Sequence, residues 1–430
     1  MSALNVQLLL TGNELMSGDV IDSNSAMIAQ HLKDIGIEVN RKVTVADDLT
    51  SLVDEIKALS VQADILILNG GLGPTVDDMT AQALALAANK PIKRHPIAMA
   101  HLENWCKKRH YELSEPNKKQ ADLPQDCEII PNSTGSAVGF KLIVNNCEIY
   151  CTPGVPPELK LMLKEEIIPQ LTDKIPSELK TQVSRMQVFG LGESTIQKMI
   201  NEAYSQWPTE IELGFRAAMP LIEVKLTSRS AQANELSLDW QNKIKKLLGD
   251  HVIGDNNAKI NKTVIELLDK KQQSITLAES CTGGLIASQL TQVSGASKVF
   301  EAGFVTYSNK MKTALLGVDE AILVKHGAVS EQTVTAMAKG ALLKSQANYA
   351  IAVSGVAGPE GGTPEKPVGM VWIAWGKMGN INSCCLFLPG HRAYFQHYVA
   401  TISLDLIRRM LISSKEAANY LKERQFIDKK

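Results

Sequence analysis

Apolar residues along this 430-residue chain alternate between two periods, and the alternation separates two long stretches from a middle that lacks it. VQLLLTG at 6–12 is a nearly continuous apolar run, as expected of a strand buried on both faces. In DSNSAMIAQHLKDIG at 22–36, Ile28, Leu32 and Ile35 share one helical face, and Gly36 is placed to end the helix. IEVNRKVTV predicts a second strand, Leu52, Ile56 and Leu59 a second helix, and ADILILNGG at 63–71 a third strand. Strands alternating with helices predict a parallel sheet covered on both faces. GFKLIVNNCEIYCTPG at 139–154 then predicts a hairpin turned at Asn145-Asn146, with Pro156-Pro157 opening another helix.

The polar stretch TDKIPSELK begins the middle, where two short strand signals, RMQVFG and PLIEVKLTS, flank a helix expected at 193–204. From about Asn257 the alternation returns: a helix at 262–271, the strand SITLA, a helix to about Val293 and the strand FEAGFVTYS. A helix at 331–345, the strand YAIAVSG, a Gly/Pro loop at 357–367, the strand GMVWIAW and a helix at 392–411 complete it. The expected fold class is α/β, with two three-layer α/β domains joined by a small α+β module. The expected boundaries are 1–171, 172–256 and 257–416, with 417–430 as a charged tail forming a solvated, fraying helix.

Composition narrows the function. Apolar residues are 44% and charged residues 21% of the chain, as in a soluble globular protein. A net charge of −1 argues against a nucleic-acid partner, which a basic excess normally marks. No apolar run approaches a membrane span, and the first residues lack the features of a signal peptide. Seven scattered cysteines form no Cys-x-x-Cys pair, so a zinc site is not expected, and reduced thiols in a cytoplasm are. Cys147 and Cys151 are expected as buried free thiols.

Two regions offer chemistry. In NGGLGPTVDDMT at 69–80, a buried strand meets Gly70, Gly71, Gly73 and Thr75 before a helix expected to start near Asp77. Glycines allow close approach of a ligand, and helix N-termini favour phosphate. Asp77 and Asp78 could hold a divalent cation, or one of them could cap the helix. Glu14 and Asp22 fall on the same edge of the sheet, although Asp22 before Ser23 and Asn24 also reads as a cap. In the C-terminal stretch, AESCTGGLIASQL at 278–290 places Ser280, Cys281 and Thr282 at a strand-to-helix turn. His326, His391 and His397 lie in no motif that marks a base, which leaves a lysine on the next turn, Lys310 or Lys312, near Tyr307. Such a lysine must be largely neutral, which burial can impose. Spacing alone leaves Ser280 and Cys281 nearly tied as nucleophile. SGVAGPEGGTPEKPVG at 354–369 could wrap an anion, with Arg392 as a clamp.

LAESCTGG, GFVTYSNKMK, HGAVSE and VSGVAGPEGGTPEKPVG resemble the C-terminal domain of the competence/damage-inducible protein CinA family, which is similar to nicotinamide-nucleotide amidase. TGNELMSGDVIDSN, NGGLGPTVDDMT and TPGVPPEL resemble that family's N-terminal domain, of molybdopterin-binding fold, with a metal-dependent ADP-ribose pyrophosphatase activity in the family. The resemblance implies Ser280 as nucleophile, Lys312 as base and Tyr307 nearby. It further implies Thr282, Gly283, Ser354, Gly355, Gly358 and Arg392 around the nucleotide, and Glu14, Asp22, Asp77 and Asp78 around a divalent metal (Mg, Mn or Co). Asn13 departs from the family pattern and receives no metal role. The implied substrates are nicotinamide mononucleotide and ADP-ribose, within pyridine-nucleotide salvage, in a cytoplasmic homodimer whose amidase needs no cofactor. Two other readings are an N-terminal domain that binds a pterin or nucleotide without hydrolysing it, and an interaction protein of competence.

Overall fold

The computed structural model describes residues 4–176 and 180–426. Its contacts group the chain into two compact units, Met1–Val183 with Ser228–Asn234 and Ser184–Thr227 with Glu235–Lys430.

The first unit holds a six-stranded sheet of β1 (Val6–Thr11), β2 (Val39–Val45), β3 (Ile65–Asn69), β4 (Glu128–Ile130), β5 (Gly139–Val144) and β6 (Cys147–Thr152). Their order is β2-β1-β3-β6-β5-β4. The first four are parallel and the last two antiparallel, so the sheet is mixed where a parallel one was expected. The cause is the Asn145-Asn146 hairpin, with φ of 51° and 66°, which reverses the chain in two residues. Residues alternate between two layers. Leu8, Leu10, Ile65, Ile67 and Tyr150 meet Ile28 and Leu32, while Leu9, Leu66, Leu68 and Ile149 meet Leu52, Ile56 and Leu59. Both faces are covered, which is why the strands read as unbroken apolar runs.

The helix expected near Asp77 begins instead at Thr80. Asp78 accepts from the Thr75 amide at 2.9 Å and the Thr75 hydroxyl at 2.5 Å, closing a local turn that competes with the helix. Neither aspartate caps it; the residue before it is Met79, with no side-chain cap.

The middle segment forms a second sheet of β7 (Gln182–Val188), β8 (Ile211–Ala218), β9 (Leu221–Ser228) and β10 (Val252–Asp255), ordered β8-β9-β7-β10. Met186, Val188, Val224 and Leu226 face Ile196 of the helix Glu193–Ala203 and Trp240 and Ile244 of the helix Ala231–Leu248. The sequence pattern misses β8, interrupted by Gly214 and Arg216, and the largely polar helix Ala231–Leu248.

The C-terminal sheet contains β11 (Ile275–Glu279), β12 (Phe300–Val305), β13 (Tyr349–Gly355), β14 (Met370–Lys377) and β15 (Asn380–Phe387). The order is β12-β11-β13-β14-β15, with three parallel strands followed by an antiparallel pair. Ala278, Ala350, Ala352 and Ala374 face the helix Glu331–Ser345, and these small side chains let it sit close. On the other face, Leu277, Ile351 and Val353 meet the helices Ile260–Lys270, Leu285–Thr291 and Arg392–Leu411.

The tail differs from the solvated helix expected of its charges. Its helix is only Asn419–Glu423, Tyr420 is buried, and the backbone amide of Phe387 donates to Arg424. Residues 427–430 lie outside the described residues. Tyr420 donates at 2.8 Å to Asp405, which also accepts from Nε of Arg408 at 2.8 Å and of Arg409 at 2.7 Å. Both arginines donate as well to the Asp250 carbonyl, tying the long helix to the end of the middle segment. Among the described residues, no helix is long and apolar enough to cross a membrane.

Candidate active site

Ser280 follows β11 directly, on the edge of the sheet where its parallel strands end, the usual place for a ligand in an open α/β sheet. Its amide continues the pairing to Val353 at 3.1 Å. The chain then turns through Gly283 (φ +64°) and Gly284 (φ +98°), a conformation that side chains rarely adopt, into the helix Leu285–Thr291. Glu279, almost wholly buried, anchors the turn: its carboxylate accepts from the Thr282 hydroxyl at 2.6 Å and from the amides of Gly284, Ile286 and Ala287 at 2.8–3.1 Å. A carboxylate at a helix start satisfies amides that have no partner within the helix.

Lys312 reaches back from the helix Asn309–Leu316, which Ser308 caps. Its Nζ lies 3.1 Å from Ser280 Oγ and 2.8 Å from the Thr306 carbonyl. The residue is 1% exposed, and burial pulls its amine below the ordinary lysine range, favouring the neutral form. Lys310 is exposed to solvent. Of the histidines, His391 caps the long helix by accepting from the Tyr394 amide, and His397 is exposed.

Cys281 is buried in the core beside the turn, and desolvation pushes its thiol up to about 12. Roughly one molecule in ten thousand would then carry the thiolate at pH 8. Iodoacetamide at pH 8 should leave Cys281 unmodified in the folded protein under conditions that alkylate it fully in denaturant. Peptide mass spectrometry gives the comparison, and equal labelling in the two states would contradict the burial.

The remaining candidates fall into two groups. Arg392 donates to the Gly358 carbonyl at 3.0 Å and to the Tyr307 hydroxyl at 2.8 Å, joining three of the expected positions. Ser354 is buried and donates to the Ala328 carbonyl at 2.7 Å, so its proton, like that of Thr282, is committed within the fold. Gly355 admits no side chain, because a Cβ there would lie 2.6 Å from the Met370 carbonyl.

In the first unit, Glu14, Asp22, Gly70, Gly71, Gly73, Asp77 and Asp78 line one cavity of about 450 Å³. Thr75 holds the loop through Asp78. Gly70 and Gly71 have φ of +109° and +64°, and a Cβ on Gly70 would meet the Thr11 carbonyl at 2.7 Å. Asp22 also has partners within the fold. It pairs with Lys42 and accepts from the Ser25 amide at 2.9 Å, and the contacts with Lys42 and Ser25 outweigh burial to hold its carboxyl below the usual range. Asp22 nonetheless lines the same cavity as Glu14, Asp77 and Asp78. Asn13 and Asp47 clasp each other through backbone and side chain.

Residues 257–411 match the CinA C-terminal domain, 7–173 the probable molybdopterin binding domain and 184–254 the damage-inducible protein CinA KH domain. A CinA-like protein of Colwellia psychrerythraea is 59% identical over 431 residues, covering 100% of both chains. The chain belongs to the CinA-like family. A CinA-like protein of Shewanella denitrificans is 38% identical across 97% of this chain and 98% of its own. Among solved structures, the competence/damage inducible protein CihA of Agrobacterium tumefaciens is 40% identical, with a TM-score of 0.34, covering 36% of this chain and 94% of that one.

In this CinA-like chain, sequence reasoning overlooked Glu279, Thr306 and Gln396 in the second unit and Asp47 in the first. Glu279 was visible in principle, as an acid ending a buried strand just before a glycine turn and a helix. Gln396 donates to the Cys281 carbonyl at 2.8 Å across 115 residues, and nothing local signals it.

Proposed function

We propose that the C-terminal domain hydrolyses the carboxamide of nicotinamide mononucleotide, yielding nicotinate mononucleotide and ammonia for pyridine-nucleotide salvage. The buried pair of Lys312 Nζ and Ser280 Oγ at 3.1 Å is the observation that carries this reading. A serine hydroxyl is a weak nucleophile until an adjacent base takes its proton. The Thr306 carbonyl accepts one N–H of the neutral amine, which leaves the lone pair for the serine proton.

Ser280 Oγ bonds to the carboxamide carbon, the carbonyl π pair moves to oxygen, and the serine proton passes to Lys312. Backbone amides following Ser280 steady the oxyanion. Collapse breaks the C–N bond, and Lys312 returns the proton to departing ammonia. Water, deprotonated by Lys312, then bonds to the acyl carbon, the C–Oγ bond breaks, and Lys312 returns the proton to Ser280 Oγ. Arg392 uses two contacts on Gly358 and Tyr307 and retains N–H groups for the nucleotide phosphate. Tyr307 orients that guanidinium, while Thr282, Gly283, Ser354 and Gly355 shape the walls.

The N-terminal domain, on the same proposal, hydrolyses ADP-ribose to AMP and ribose 5-phosphate with a divalent metal. Among the described residues, no three acidic, histidine or cysteine side chains converge into a ready metal cage. Glu14, Asp22, Asp77 and Asp78 nevertheless line the cavity with oxygen donors, which fits Mg²⁺, Mn²⁺ or Co²⁺ held by a few carboxylates, waters and substrate phosphates. A cation there would neutralise pyrophosphate charge and polarise a phosphoryl oxygen. Gly70, Gly71 and Gly73 leave room for the phosphates, and Thr75 braces Asp78.

The full chain should release ammonia from nicotinamide mononucleotide, and AMP from ADP-ribose when one of the three metals is added. A lack of ammonia would overturn the amidase reading. A lack of AMP with every metal would leave the first unit as a pterin- or nucleotide-binding module.

A further inference from the structure

The turn after Ser280 contains two backbone donors with no partner on another residue. Among the described residues, the amides of Cys281 and Thr282 make no hydrogen bond to another residue, the Cys281 amide meeting only its own thiol, although both residues are buried. Orphaned buried N–H groups are rare, because folding without a partner for them is costly. Their neighbours in the turn are all satisfied. The Gly283 amide donates to the Ser280 carbonyl, that of Leu285 to the Thr282 carbonyl, and those of Gly284, Ile286 and Ala287 to the Glu279 carboxylate.

The direction of the two orphans follows from the carbonyls that share their peptide planes. In a trans peptide, C=O and N–H point in opposite directions, and the only cis bonds among the described residues precede Pro220 and Pro359. The Ser280 carbonyl is held at 3.1 Å by the Gly283 amide, so the Cys281 N–H faces away from it. The Cys281 carbonyl is held at 2.8 Å by Nε2 of Gln396, so the Thr282 N–H faces away from the long helix. Gln396 lies one turn beyond Arg392 on that helix, so both project from one face. Both also grip the region around Ser280, Arg392 through Gly358 and Tyr307 and Gln396 through Cys281.

We propose that Gln396 is a positioning residue for the amide hydrolase. By holding the Cys281 carbonyl, it aims the Thr282 N–H at the oxygen of the scissile carboxamide. This rests on the amidase reading above. As Ser280 Oγ bonds to the carboxamide carbon and the π pair moves to oxygen, the negative oxygen becomes the acceptor that the two amides lack. Gln396 touches neither substrate nor reacting atoms. Without its hold, the Cys281–Thr282 peptide is free to rotate, and the donor is out of place when the charge develops.

Gln396→Met keeps the side chain's length but removes the donor; Gln396→Ala removes the reach as well. Both should melt within a few degrees of the wild type. With nicotinamide mononucleotide, kcat should fall roughly 10- to 100-fold, the range for a misplaced oxyanion donor, while KM stays within about twofold. The analogue carrying an aldehyde in place of the carboxamide adds Ser280 reversibly and develops the same oxyanion. Its inhibition should weaken by the same factor as kcat. A purely structural cap would lower the melting temperature and leave kcat and aldehyde affinity alone, and that result would overturn the proposal. So would wild-type kcat in both variants. If the wild type itself releases no ammonia, the amidase reading fails and this inference falls with it; an active wild type with unaffected variants defeats the inference alone.

Discussion

Lys312→Met lowers ammonia release from nicotinamide mononucleotide by roughly 10²- to 10⁴-fold, the usual contribution of a general base. Methionine preserves the length and apolar stem of the side chain, so a fold loss cannot account for the result. Lys312 is enclosed, and among the described residues its polar partners are Ser280 and the Thr306 carbonyl. The pH profile adds a second check. Below its pKa Lys312 is an ammonium with no lone pair, and the site is silent; above it the amine accepts the serine proton. Burial lowers that pKa, so kcat/KM of the wild type should climb with pH and level off below the ordinary lysine value of 10.5. The residual activity of the variant should lack this limb. The same shift bears on stability. A lysine whose folded pKa is depressed binds fewer protons folded than unfolded, so wild-type stability gains as pH rises towards the unfolded value. Lys312→Met should lack that gain. A variant turning over at the wild-type rate would remove Lys312 from the mechanism.

Asp405→Ala should destabilise the unit that contains it by about 3–5 kcal/mol, the cost of breaking a buried ion pair from one side. Asp405 is fully buried and bonded to Arg408, Arg409 and Tyr420 at 2.7–2.8 Å. Arginine does not give up its proton in proteins, so the variant keeps two enclosed positive charges with carbonyls and the His251 ring to face. Denaturant unfolding with the full chain gives the number. Adding Arg408→Leu to Asp405→Ala should recover part of the loss, since the charge left behind is then halved. A change under about 1 kcal/mol would mean that water reaches the arginines in solution.

The parallel strands were legible because a strand covered on both faces has few polar positions, as in β1, β3 and β13. Ser280 was legible for a related reason: a buried strand, two glycines and a helix in succession restrict where a side chain can stand. The start of the helix after Asp77 was misplaced because Thr75 and Asp78 satisfy each other in a turn, a local bond that periodicity does not register. Asp22 carried both readings, cap and ligand, and its ion pair with Lys42 on a neighbouring strand was invisible to either. The tail misled for the opposite reason. Its charges dominate composition, while Tyr420, a buried anchor of it, depends on an acceptor 15 residues earlier. Gln396 and Cys281 meet only through the tertiary fold.

The helix Arg392–Leu411 has a further meaning once its two ends are viewed as one object. Arg392 and Gln396 grip the region around the nucleophile at one end, and Asp405, Arg408 and Arg409 are locked in place about 20 Å along the same axis. A rigid rod transmits tilt over its length. A substitution that loosens the Asp405 cluster therefore shifts the rod that carries Arg392 and Gln396, so damage at the far end reaches the region around Ser280 without touching it.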